Sequence, residues 1–222
     1  MFCAVIVAAG SSRRAGFDKL AAPLAGVPVL RRSVDAFVAA GAATVVVVCP
    51  ESRWEATGLS EGAFSVPVLR VNGGAERQDS VEAGLAVLPA GTRMVAVHDG
   101  ARPLITPAGI KACLAAAEKT GAAACAHPVV DTLKRADAQG CSLPEKVDRT
   151  GLWGMETPQI FRLDLLLRAY ELVRTRNLVV TDEVSALEAL GVATQLVPGG
   201  ANLKITLPGD LELAELIWKY RP

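Results

Sequence analysis

A chain of 222 residues that is 51% apolar is long enough to bury one large core, and its 23 basic and 23 acidic residues leave no net charge. That balance excludes the broad basic footprint of a nucleic-acid binder, and no apolar run reaches the roughly 20 residues that span a bilayer, so neither nucleic acid nor membrane is an expected partner. The five scattered cysteines (Cys3, Cys49, Cys113, Cys125 and Cys141) show neither zinc spacing nor a disulfide framework, and no charged segment precedes the N-terminal apolar stretch, so a signal peptide is not expected and a cytoplasmic location is.

Cys3–Ala8 and Thr44–Cys49 are short, valine-rich and almost wholly apolar, as parallel strands buried on both faces are. Between them Leu30, Val34, Phe37 and Val38 recur at helical spacing, with Gly41 placed to stop the helix. Val66–Val71 reads as the next strand. Asp79-Ser-Val-Glu82 reads as a capping box for a helix carrying Val81, Leu85 and Leu88. Arg93–His98 is a strand ending at His98-Asp99-Gly100. Thr106-Pro107 then opens a helix that Gly121 closes, and Ala122–Ala126 is a further strand.

Residues 128–153 break this rhythm. They hold alternating segments and a polar turn at 136–140, with no helix, and are too long for a simple loop. Val129, Thr132, Leu133 and Val147 suit a hairpin. Leu163–Arg174 and Thr181–Leu190 read as helices, the second capped by Thr181 and stopped by Gly191. Thr194–Val197 and Leu203–Thr206 read as strands, and Asp210–Tyr220 as a closing amphipathic helix. Such alternation predicts an α/β domain over residues 1–222, with a mostly parallel twisted sheet and helices on both faces. Ligands of such sheets bind at the carboxyl ends of the strands.

Three polar clusters fall at those ends: Gly10–Lys19, Gly73–Arg77 with Ser80, and His98–Pro103. The first is neither GxxxxGK[ST] nor GxGxxG, so it is not a P-loop or a dinucleotide fingerprint. Gly10 and its small neighbours let backbone N–H groups approach an anion. Arg14 and Lys19 then supply charge for a triphosphate and its transition state, while Arg13 reads as a solvated surface charge. Asp99 is the metal-ligand candidate, since Mg²⁺ takes one or two carboxylates plus substrate phosphates and water, and Gly100 beside it allows close approach. His98 reads as a histidine hydrogen-bonded in place, and His127 has less support as a functional group. Lys204, inside an apolar segment, needs an anionic partner, either a substrate phosphate or the metal-site carboxylate. Thr181 reads as a cap, although a helix N-terminus also binds phosphate.

Taken in order, Ala8-Ala-Gly-Ser-Ser-Arg-Arg14 with Lys19, Glu76-Arg-Gln-Asp-Ser-Val81, Val97-His-Asp-Gly-Ala-Arg-Pro103, Pro128-Val-Val-Asp-Thr-Leu-Lys-Arg135, Val147-Asp-Arg-Thr-Gly-Leu-Trp153, Thr157-Pro-Gln-Ile-Phe161, Thr181-Asp-Glu-Val-Ser-Ala-Leu187 and Asn202-Leu-Lys-Ile-Thr206 resemble the 2-C-methyl-D-erythritol 4-phosphate cytidylyltransferase family. The resemblance covers nearly the whole chain. It implies a Rossmann-like nucleotidyltransferase that uses CTP, methylerythritol phosphate and Mg²⁺ in non-mevalonate isoprenoid synthesis. It implies Arg14, Lys19 and Lys204 at the reacting phosphates, and Ala8, Ala9, Gly10, Gly74, Ala75, Ser80 and Asp99 at the nucleotide. Asp99, Arg102, Thr132, Arg149, Thr157 and Thr181 would serve the alcohol phosphate, with Asp99 on the metal. It further implies that 128–153 is an arm embracing a twin subunit, with Thr132 and Arg149 completing the partner's site. Ala75 stands where many relatives have aspartate, which is tolerable where only its backbone reads the base. The nearest rival is a cytidylyltransferase for another polyol phosphate, such as ribitol 5-phosphate. The convergent charges argue against a non-catalytic nucleotide-binding regulator, and the missing GxGxxG argues against a nicotinamide-dependent oxidoreductase.

Overall fold

The computed structural model describes residues 1–10, 18–60 and 64–221. In chain order the strands and helices are β1 (Phe2–Val7), β2 (Pro23–Leu24), β3 (Val27–Pro28), α1 (Val29–Ala39), β4 (Val45–Val48), α2 (Glu51–Ala56), β5 (Val68–Val71), α3 (Arg77–Leu85) and β6 (Met94–Asp99). They continue with α4 (Pro107–Thr120), β7 (Ala122–Pro128), β8 (Trp153–Arg162), α5 (Leu163–Thr175), α6 (Glu183–Ala189), β9 (Gln195–Pro198) and α7 (Pro208–Lys219). Seven strands make one sheet in the order β5-β4-β1-β6-β8-β7-β9, and β2 pairs with β3 in a small ribbon.

Successive side chains of a strand point to opposite faces, and each face has its own core. On one, Ala4, Ile6, Val45 and Val47 pack with α1, α4 and α7 through Leu30, Phe37, Ile110 and Ala214. On the other, Val5, Val46, Val95 and Val97 pack with α3, α5 and α6 through Val81, Leu166, Tyr170 and Leu187. This is the helices-on-both-faces architecture the alternation predicts. Cys3, Cys49, Cys113 and Cys125 are buried and free, and Cys141 is exposed and free. No helix among the described residues is long and apolar enough to cross a membrane.

Several local expectations need correction. The α3 cap is Glu76, paired with Asp79 in a capping box three residues earlier than Asp79/Glu82. The α6 cap is Asp182, which accepts from the Ser185 N–H, and not Thr181. Leu203–Thr206 is irregular chain, fixed by the Ile205 N–H donating to the Ala101 carbonyl at 2.8 Å. The short α2 and the β2–β3 ribbon carry no periodicity that a sequence reading could detect.

Strand β8 also departs from the sequence expectation, and it matters most. It runs antiparallel between β6 and β7, whereas every other pairing in this sheet is parallel. Its sequence WGMETPQIFR holds a glycine, a proline and a glutamate, so it lacks the valine-rich signature of a central strand. Pro158 cannot donate to a ladder. The pairing accordingly jumps from Ala124↔Gln159 to Ala126↔Met155, which leaves Glu156–Pro158 as a bulge. The Thr157 hydroxyl accepts the Asp99 N–H at 3.0 Å and so takes the ladder's place.

The excursion leaves the sheet at Pro128 and returns opposite it at Trp153. Its base is tied by the Val129 N–H donating to the Leu152 carbonyl, and its tip is closed by a bridge between Ala136 and Ser142. The hairpin is largely exposed, and Val130 is 75% accessible.

Candidate active site

The carboxyl end of β6, the bulge of β8, the first turns of α3 and α6, and the segment 202–205 meet around a cavity of about 350 Å³. Arg77, Asp99, Arg102, Thr157, Thr181 and Lys204 are among its lining residues. Asp99 is the anion on which the cations converge. The Lys204 ammonium donates to its Oδ2 at 2.7 Å, Arg77 Nη2 lies 3.6 Å from Oδ1, and Arg102 Nε lies 3.9 Å from Oδ2. Burial works against ionisation of Asp99, but Lys204 and Arg77 outweigh it and hold the carboxyl down at about 2. The anionic partner that Lys204 required is therefore Asp99.

Arg102 is oriented by the Asn202 carbonyl, to which Nη1 donates at 2.9 Å. Its Nε is buried without a hydrogen-bond partner and faces Asp99. Gly100 packs against β1: a Cβ there would meet Leu30 Cδ1 at 2.7 Å and the Val7 carbonyl at 3.3 Å. Its missing side chain thus serves helix–sheet packing.

His98 is fully buried against Phe37. Its Nε2 lies 3.2 Å from the Arg102 carbonyl and its Nδ1 lies 3.0 Å from the Thr157 hydroxyl. A carbonyl only accepts, so Nε2 carries the proton and Nδ1 accepts from Thr157. The relay therefore runs from the Asp99 N–H to Thr157, from Thr157 to His98, and from His98 to the Arg102 carbonyl. Burial pushes the imidazole down to about 4 from its ordinary 6.5. The unfolded chain takes up this proton first, so stability is lost as pH falls from about 6.5 to about 4, by about 3 kcal/mol in all. Urea unfolding between pH 7 and pH 4.5 should therefore show a shallower loss in a His98→Gln chain than in wild type. Equal losses in the two would reject the neutral assignment.

Two residues of the site carry no local signal, and sequence reasoning missed their roles. Arg77 forks onto the fully buried Glu183, with Nη1–Oε1 at 2.6 Å and Nη2–Oε2 at 2.9 Å, and the Tyr170 hydroxyl donates to the same Oε1 at 2.9 Å. The partners lie so far apart in the chain that no spacing reveals them. Arg53, from α2, donates to the carbonyls of Ala8 and Gly10 and to Asp18 Oδ2. It thereby ties Ala8 and Gly10 to Asp18.

Of the remaining expected residues, Ala8, Ala9 and Gly10 follow β1 and lie beside the α3 loop. A Cβ on Gly73 would come within 2.4 Å of Ala9 Cβ and 2.8 Å of Ser80 Oγ, so only glycine lets these loops touch. The Gly74 N–H donates to Ser80 Oγ, and Ala75 links Gly74 to the Glu76 cap. The Lys19 ammonium donates to the Ile205 carbonyl at 2.6 Å, on the segment that carries Lys204. Thr181 is exposed, with its hydroxyl 3.3 Å from Ser185 Oγ. Thr132 and Arg149 lie on the exposed hairpin, away from this cavity, and Arg149 donates to the Val130 carbonyl. Arg13 and Arg14 lie outside the described residues.

Cations converging on one carboxylate at the carboxyl edge of a largely parallel sheet define an α/β protein built to handle phosphorylated ligands. The chain matches the family model described as 2-C-methyl-D-erythritol 4-phosphate cytidylyltransferase over residues 2–220. The protein of that name from Synechococcus elongatus is 42% identical over 223 residues, covering 98% of this chain and 96% of the relative. Its counterpart from Pelotomaculum thermopropionicum is 40% identical over 98% of this chain and 94% of its own length. The crystal structure of the Thermus thermophilus enzyme aligns with a TM-score of 0.79 at 31% identity, over 99% of this chain and 100% of that one. The chain belongs to the 2-C-methyl-D-erythritol 4-phosphate cytidylyltransferase family and is an enzyme.

Proposed function

We propose that the chain transfers the cytidylyl group of CTP to 2-C-methyl-D-erythritol 4-phosphate, giving 4-diphosphocytidyl-2-C-methyl-D-erythritol and pyrophosphate. An oxygen of the alcohol's phosphate attacks the α-phosphorus of CTP in line, the bond to the bridging oxygen breaks, and pyrophosphate leaves. The attacking oxygen is already anionic, so no protein base is needed. Catalysis is positioning plus neutralisation of charge at the α-phosphate. The observation that carries this reading is the Lys204–Asp99 pair, with Arg77 and Arg102 beside it, at the carboxyl end of β6. Family membership favours methylerythritol phosphate over ribitol 5-phosphate.

In this reading Arg14, Lys19 and Lys204 meet the reacting phosphates. The backbone of Ala8–Gly10, Gly74 and Ala75, with Ser80, reads the cytidine. Asp99, Arg102 and Thr181 serve the alcohol phosphate. The first-turn amides of α6 are already used: Gln159 Oε1 accepts from Glu183 and Val184, and Asp182 from Ser185. A phosphate at this helix is therefore held by side chains, Thr181 foremost. The hydroxyl proton of Thr157 is committed to His98, so Thr157 acts by fixing the Asp99 backbone.

Asp99 is the residue that would hold Mg²⁺. Among the described residues no group of three or more His, Cys, Asp or Glu converges to hold a cation. That fits an ion carried in by the triphosphate and completed by phosphate oxygens and water, with one protein carboxylate. When bound, the ion neutralises triphosphate charge.

The hairpin 128–153 is proposed as a dimer arm that carries Thr132 and Arg149 to the twin subunit's site, and the enzyme as cytoplasmic. The exposure of Val130 and Leu152 supports the arm. Mixing Arg14→Ala with Arg149→Ala subunits should restore activity in the heterodimer, and no recovery would count against a shared site. The central test is pyrophosphate release from a panel of nucleoside triphosphates and polyol phosphates. CTP with methylerythritol phosphate is expected to give the highest kcat/KM. A higher value with ribitol 5-phosphate or another triphosphate would overturn the substrate assignment.

A further inference from the structure

Arg77 stands between two carboxylates. Its fork is spent on Glu183, which is fully buried and also holds the Tyr170 hydroxyl, while Nη2 also faces Asp99 Oδ1 at 3.6 Å. Lys204 holds the other oxygen of Asp99 from a side chain that is 41% exposed on a flexible stem. The two cations thus differ in kind. Arg77 is a planar donor pinned by two bonds to a buried anion, whereas Lys204 is a mobile point charge. Arg77 is also the first residue of α3 and Glu183 the first of α6. The pair therefore joins the helix that follows the nucleotide loop to the helix that follows Thr181.

We infer that Arg77, braced by Glu183 and Tyr170, is a positioning residue that keeps the Asp99 carboxylate neutralised from its Oδ1 side, so that Lys204 can leave Oδ2 for a substrate phosphate. Asp99 is largely buried, and stranding a buried carboxylate without a cation is costly. Without Arg77, Lys204 is the side-chain cation on which Asp99 depends until a metal ion arrives with the triphosphate, so its release to the phosphate is impeded. Arg102 adds charge from further off but no hydrogen bond to the carboxylate: its Nη groups donate to the Asn202 and Met155 carbonyls and its Nε is 3.9 Å from Asp99 Oδ2, on the side Lys204 occupies. The inference rests on the cytidylyl-transfer reading and names a role that the reading does not require.

The test is a coupling measurement. Arg77→Met alone strands Glu183, so it is combined with Glu183→Gln, which removes both charges and keeps an acceptor for Tyr170. Thermal unfolding of the double variant should lie near wild type. Its kcat with CTP and methylerythritol phosphate should fall about 10²-fold, the scale of a lost preorganised charge. Adding Lys204→Ala to the double variant should cost no more than about 3-fold further, against about 10²-fold in wild type, because coupled residues are not additive. Arg77→Lys is the second variant, and it keeps a cation for Glu183. One ammonium cannot hold both carboxylates, so it should show the same lost dependence on Lys204. Full multiplicative losses in both backgrounds, or a double variant with wild-type kcat, would overturn the inference. Wild-type turnover is measured alongside. An inactive wild type would overturn the functional reading itself, whereas additive losses in an active enzyme overturn only the role of Arg77.

Discussion

Lys204→Ala should slow cytidylyl transfer at least about 10²-fold while leaving the fold nearly as stable as before. In the free enzyme the Lys204 ammonium is parked 2.7 Å from Asp99 Oδ2 in the lining of the charged cavity, so it has only a short way to move to a substrate phosphate. The pair is partly exposed on the lysine side, which limits its contribution to stability to about 1 kcal/mol or less. Arg77 also remains beside Asp99 in the variant, so the carboxylate keeps a cation. The expected signature is a collapse of kcat with an almost unchanged unfolding midpoint. Lys19→Ala should behave alike, since its ammonium is anchored on the same segment through the Ile205 carbonyl. Near-normal turnover in either variant would reject that residue's role at the phosphates.

Arg77→Met should have the opposite profile, with a stability loss of about 3 kcal/mol accompanying the loss of rate. Removing one member of a buried pair leaves the other uncompensated, and here the member left behind is Glu183, which has no exposure to water. Tyr170 still donates one hydrogen bond to Glu183, but a neutral hydroxyl does not replace a forked guanidinium. Arg77 itself is 30% exposed, which holds the loss at the lower end of what a fully buried pair shows. Urea unfolding at pH 7 measures it, and recovery in the Arg77→Met/Glu183→Gln chain assigns the loss to the stranded carboxylate. A loss below about 1 kcal/mol in the single variant would contradict a tightly buried pair.

Much of the fold was legible because its parallel strands obey a simple compositional rule. Val45–Val48 could belong only to a strand covered on both faces, and Thr106-Pro107 and Gly121 mark the ends of α4, where Thr106 caps and Gly121 has a φ of 90°. Strand β8 broke the rule because three of its buried side chains, Glu156, Thr157 and Gln159, are polar and partnered. Glu156 binds His127 and Asn202, Thr157 binds His98, and Gln159 binds α6. Hydrogen bonds to distant residues leave no period in a sequence. Asp99 and Lys204 were legible from their surroundings, a carboxylate at a strand end and a lysine among apolar residues. Arg77 and Glu183 were not, since each looks locally like an ordinary charge in the first turn of a helix. The packing role of Gly100 was hidden for the same reason, as Leu30 and Val7 are distant from it in the chain.

The single reversal of direction at β8 decides where new material can be added to this molecule. Had β8 run parallel to β7, the chain would have had to cross to the opposite edge of the sheet before returning. Because it is antiparallel, the hairpin leaves and re-enters at one edge, the edge where the parallel strands end and the charged cavity opens. Its two feet are already joined by the pairing of Pro128 with Trp153, so lengthening or trimming the tip changes little beyond the closure entropy of a loop, about 0.6 kcal/mol per doubling. The reach of this hairpin can thus drift over evolutionary time while the sheet and the charges beneath it stay the same.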